Sequence, residues 1–147
     1  MLNAPNDLCF DNEGRIYFTD PRYGYQHDLE QDCMAVYRIE HDGSLTRVIT
    51  DAQTPNGILI TPDNQTIYLV DHNPEPGGAR TLLAYDLDGQ GQWQRREVLH
   101  DFGDGYGGDG MVLRCRRQHL LDRRRRGEGG CLYLCIKWRA GWLYPHR

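Results

Sequence analysis

"PNDLCFDNEGRIYFTD" (residues 5–20) and "PNGILITPDNQTIYLVD" (residues 55–71) are two copies of one pattern, 50 residues apart. Each opens on Pro-Asn, runs apolar, turns at an Asn/Asp/Gly cluster, and ends on Ile-Tyr, an apolar or aromatic stretch and a closing Asp. A second matched pair lies between and after them: "AVYRIEHDGSLTRVIT" (35–50) and "LLAYDLDGQGQWQRREVL" (82–99). Each of these reads as a strand, a Gly-bearing turn and a second strand. One unit is therefore four short strands in about 50 residues, and no stretch longer than about 8 residues carries a helical apolar period. Four strands repeating at that period are the signature of a β-propeller blade. "GGDGMVL" (107–113) begins a third copy. A propeller closes with about four to eight blades. The expected fold is thus all-β, part of a propeller of two to three blades, and the chain reads as a fragment.

The charge is divided. Residues 1–113 carry 7 Arg, no Lys and 19 Asp or Glu, a net −12, whereas residues 114–147 carry 9 Arg, 1 Lys and 2 acids, a net +8. The acidic body argues against a nucleic-acid partner. No apolar run approaches the ~20 residues of a membrane span, and the chain does not open like a secretory leader, so the expected location is the cytoplasm. Five scattered cysteines, Cys9, Cys33, Cys115, Cys131 and Cys135, form no disulfide framework and no C-x-x-C pair.

The repeats resemble the senescence marker protein/gluconolactonase family of six-bladed propellers. "LNAPNDLCFDNEGRIYFTDPRYG" (2–24), "TPNGILITPDNQTIYLVDHN" (54–73) and "GGDGMVL" are similar to three successive motifs of that family, and "FTDPRYG" and "GGAR" resemble its bacterial gluconolactonase-type branch. The resemblance implies hydrolysis of a sugar lactone by an enzyme with one divalent ion at the mouth of its central channel. That ion is most often Ca²⁺, with Mg²⁺, Mn²⁺ or Zn²⁺ as alternatives. Carried over, the ligands are Asn56 and Asp109, Asp109 is also the general base, and Asn6 faces the substrate. The family's Glu ligand falls upstream of Met1. The residue types suit this chemistry, since amide and carboxylate oxygens are hard donors. Read without the family, Asn6 and Asn56 each follow a proline and fit turn closure, and Asp109 fits a turn between two glycines. Asp20 and Asp71 read as hydrogen-bond acceptors for the blade turns, and His72 as structural. The expected partner is a small lactone, with neither nucleic acid nor membrane. A non-enzymatic binding propeller is the alternative, and a basic nucleic-acid-binding tail a third reading.

"RCRRQHLLDRRRR" (114–126) stands where the family pattern calls for Asp-x-x-Gly-Asn-Ile-Tyr. A codon choice exists for which residues 114–121, read one base later, give Asp-Val-Asp-Gly-Asn-Ile-Tyr-Ser. Two positions allow no choice. Trp138 and Trp142 are encoded TGG, so the shifted frame reads GGN, glycine, at both. The reading is a frame slip near the Leu113 codon, with residues 114–147 out of frame and irregular.

Overall fold

The computed structural model describes residues 1–24, 30–105, 107–115, 132–138 and 141–143, with side chains through residue 112. Strands β1 (Leu8–Phe10), β2 (Ile16–Asp20), β3 (Ala35–Ile39) and β4 (Leu45–Ile49) form one antiparallel sheet in that order. Strands β5 (Pro55–Ile60), β6 (Thr66–His72), β7 (Arg80–Leu87) and β8 (Trp93–Asp101) form a second sheet with the same order. Both are the four-stranded up-and-down units that the repeat predicts. Strand β5 lies against β1 and β2 on one side and against β9 (Met111–Cys115) on the other.

The repeat is legible in the turns. Between β1 and β2 the chain reverses over Asp11–Gly14, with Gly14 at φ 84°. The equivalent residue 50 positions on is Asn64, at φ 58°. Asparagine is among the few side chains that tolerate this left-handed region. The two turns are also tied to each other: Asn12 N–H donates to Asn64 Oδ1 at 3.0 Å, and the Asn64 amide donates back to Asn12 Oδ1.

Two identical clasps hold each sheet to the loop before its first strand. Asp20, fully buried at the end of β2, accepts from the N–H groups of Asn3 (2.9 Å) and Ala4 (2.8 Å). Asp71, at the end of β6, accepts from Gln53 (2.9 Å) and Thr54 (2.7 Å). The closing aspartates are thus turn acceptors, as the sequence predicts. Burial pushes the Asp71 carboxyl up, against the pull of the Thr54 and Gln53 N–H groups. Asp71→Ala leaves two backbone donors without an acceptor and should cost about 3 kcal/mol in a urea titration. A loss below about 1 kcal/mol, the worth of an ordinary hydrogen bond, would refute the clasp.

The core lies between the two sheets. Tyr17, Val36 and Ile49 from the first meet Ile58, Ile67, Leu69, Leu83, Tyr85 and Trp93 from the second, with Tyr17 and Trp93 edge-on at 6.2 Å between ring centres. Alternation along each strand sends Cys9 toward this core, whereas Leu8 and Phe10 remain 55% and 60% exposed on the opposite face. Burial pushes the Cys9 thiol up to about 12, so it remains protonated and packs as a small apolar group.

Residues 114–147 were expected to be irregular, yet β10 (Leu132–Trp138) and β11 (Gly141–Leu143) pair in a sheet of order β11-β10-β9. "LYLCIKW" is rich in residues that favour strands, and β9 offers it an open ladder edge. Strand β9 itself runs across the boundary at Leu113 as far as Cys115. The arginine run 116–126 lies outside the described residues.

Candidate functional site

The strands that begin each repeat start side by side, and this brings their leading residues together. A cleft of about 760 Å³ opens there, and its lining includes Asn6 before β1, Asn56 in β5 and Asp109 before β9. These three hold the same place in successive copies: Pro5-Asn6-Asp7, Pro55-Asn56-Gly57, Gly108-Asp109-Gly110. The structure therefore gathers all three residues singled out from the sequence.

Their supports differ. Thr19, fully buried one residue before the Asp20 clasp, is the hinge of the first two. Its hydroxyl donates to the Asn56 carbonyl at 2.8 Å and accepts from Asp7 N–H at 3.1 Å, while its own carbonyl accepts from Asn6 N–H at 3.0 Å. Asp7 crosses to the second sheet and accepts from Ile58 N–H at 3.0 Å. The backbone on both sides of the Asn6 and Asn56 side chains is thereby fixed. The Asn56 side-chain oxygen closes no turn on its own backbone, having no partner among the described residues.

Asn56 is 8% exposed, and its side-chain oxygen is sealed from water with no hydrogen-bond partner among the described residues. An unsatisfied buried carbonyl oxygen is costly, and a cation would relieve it. Asp109 is exposed to the cleft. No group of three His, Cys, Asp or Glu side chains able to hold a metal occurs among the described residues. The donors gathered here are amide and carboxylate oxygens, which fit part of the shell of a hard cation and are a poor match for a thiolate- or imidazole-rich zinc site.

Sequence reasoning missed the rest of the lining. Tyr23, His72, Arg80 and Asp104 all face the cleft. Burial pushes the Tyr23 phenol up, and the negative charges of Asp109 and Asp71 push it further, so Tyr23 presents an O–H donor. Arg80 donates to the Pro74 carbonyl at 3.2 Å. The repeat did hold a signal for Thr19 and Asp7. They stand opposite Val70 and Gly57 in the other copy, and polar residues replacing apolar or absent side chains mark where a blade has a special task.

The profile of the SMP-30/gluconolactonase/LRE-like region matches residues 1–119. The chain belongs to this family. It is similar to the gluconolactonase of Zymomonas mobilis, with 32% identity over 116 residues, covering 76% of this chain and 32% of that protein. It is also similar to a lactonohydrolase of Aspergillus oryzae, 39% identical over 109 residues, covering 58% of this chain and 25% of that one. Among solved structures, a gluconolactonase from Xanthomonas campestris superposes with a TM-score of 0.63 at 31% identity, covering 92% of this chain and 43% of that chain. This member of the SMP-30/gluconolactonase family thus spans about a third or less of the length of these curated relatives, and its sheets correspond to part of a family propeller.

Proposed function

We propose that residues 1–113 carry part of the active site of a metal-dependent sugar-lactone hydrolase, and that the 147-residue chain alone has impaired activity. One observation carries the reading: Asn6, Asn56 and Asp109, at equivalent points of three repeats, line one cleft, and the buried Asn56 oxygen lacks a partner among the described residues. Family membership and the names of the relatives support it.

Asn56 and Asp109 would hold the cation, most fittingly Ca²⁺. When bound, such an ion polarises a carbonyl oxygen and makes a nearby water more acidic. The chain's own groups account for the remaining tasks. Asp109 takes the proton from the water that attacks the lactone carbonyl carbon. The ring C–O bond then breaks, and the proton passes to the departing alkoxide, giving a hydroxy acid. Asn6 and the Tyr23 hydroxyl offer donors to the sugar hydroxyls and orient the ring.

The test is a pH-stat assay of the 147-residue chain with gluconolactone and Ca²⁺ or Mn²⁺. Hydrolysis above the spontaneous rate but below about 1 s⁻¹ is expected, the low end for enzymes, and a chelator should abolish it. Hydrolysis that survives chelation, or that is equal in Asp109→Ala, would overturn the reading. Complete absence of catalysis alongside tight lactone binding would favour the binding propeller.

We further propose that residues 114–147 arise from a frame slip. The family match stops at residue 119, soon after the Leu113 codon. Resequencing the gene should show that removal of one base there yields "GDGMVLDVDGNIY". A stop codon in the shifted frame within the segment would end this reading.

A further inference from the structure

We infer that His72 is a positioning residue for Asp109, bracing the glycine-rich turn from which that carboxylate reaches the cleft. What Asp109 does there rests on the lactonase reading; the brace itself rests on geometry alone. Asp109 stands between Gly108 and Gly110, with Gly107 preceding them. Such a run has unusual backbone freedom and cannot by itself aim a side chain. The Asp109 carboxylate makes no hydrogen bond or ion pair to the described residues, so its direction follows from how its backbone is held.

Two contacts supply that direction. On one side, Gly57 lets β5 approach so closely that a Cβ built there would lie 2.0 Å from the Asp109 carbonyl oxygen. On the other side is His72, the last residue of β6. Its Nδ1 lies 3.3 Å from the Gly108 carbonyl oxygen. A carbonyl oxygen only accepts, so the contact places the imidazole proton on Nδ1. Gly107 passes against the same ring, and a Cβ there would meet Nδ1 at 2.6 Å and Cγ at 3.2 Å. His72 is itself well anchored. Its N–H donates to the Thr54 carbonyl at 3.0 Å, and it pairs with Arg80 across the sheet. The turn is thus held between two strands of one rigid sheet, with a side-chain hydrogen bond at the residue before Asp109.

The experiment compares the full chain with His72→Phe, which keeps a ring but loses the donor, and His72→Asn, whose amide nitrogen falls where Nδ1 was. Amide exchange of residues 107–110 needs no metal. It should quicken by about tenfold or more in His72→Phe, while core amides such as Leu69 and Leu83 stay protected. Mn²⁺ affinity should fall by about 10–100-fold, the usual effect of losing a group that orients a ligand, and His72→Asn should recover to within about threefold. Unchanged turn exchange in His72→Phe, or equal impairment in the two variants, would overturn the brace. If Asp109→Asn leaves Mn²⁺ affinity unaltered, the ligand role of Asp109 falls, and the exchange measurement still decides whether His72 holds the turn.

Discussion

Gly57→Ala should disrupt the chain far more than its single methyl group suggests. The new Cβ would sit 2.0 Å from the Asp109 carbonyl oxygen, 3.0 Å from its carbonyl carbon and 3.3 Å from the Gly110 Cα. All three are backbone atoms, so no side chain can swing aside. Either β5 or the turn before β9 must move, and each movement separates Asn56 from Asp109. Forcing an atom into so tight a place costs about 1–3 kcal/mol, occasionally more. Catalysis should fall further than stability, because displacing a positioned group by about 1 Å costs roughly 10²-fold in rate. Gly89→Ala is the control. That glycine is exposed and has no atom within 4 Å of a built Cβ, so its effect should stay within about 0.5 kcal/mol. Equal effects from the two substitutions would show that the close approach has no consequence.

Asn56→Leu should separate function from stability. The side chains are similar in size, but leucine removes the buried oxygen that has no partner among the described residues. An unsatisfied buried polar atom costs about 1–3 kcal/mol, so the metal-free variant should be more stable by about 1 kcal/mol. The same change should lower chelator-sensitive lactone hydrolysis by about 10²-fold or more, the scale expected when a residue that stabilises developing charge is lost. A gain in stability bought with lost activity is the pattern of a residue kept for function. If Asn56→Leu is instead destabilising and activity is retained, Asn56 is an ordinary structural residue.

The fold was legible because its information is local and repeated. Ile16–Asp20 and Thr66–His72 carry the same run of strand residues ending near a closing aspartate, and both aspartates form the same clasp. Asn6, Asn56 and Asp109 could be found because the repeat places them at matching points. The repeat marks Thr19 as a departure from Val70 but does not show what Thr19 or His72 touches. Thr19 acts on Asn56, 37 positions away, and His72 on Gly108, 36 positions away. Contacts between repeats depend on how the sheets pack, which no periodicity within one copy reports. Strands β10 and β11 fall in the segment read as out of frame, for which no regular fold is expected, yet "LYLCIKW" is a short apolar run that pairs once β9 offers an edge.

The central claim is that Asn56 and Asp109 together hold a divalent cation in the cleft. The most direct measurement is a Mn²⁺ titration of the ¹⁵N-labelled chain, following the paramagnetic loss of each backbone amide signal. At low Mn²⁺ the amides of Asp7, Gly57, Gly108, Asp109 and Gly110 should vanish first, and Ca²⁺ should restore them. The chain's acidic turns at Asp42 and at Asp88 offer the ion an alternative. Loss of signal that begins at Ser44 or Gln90 while Gly57 and Gly110 stay sharp would contradict the account.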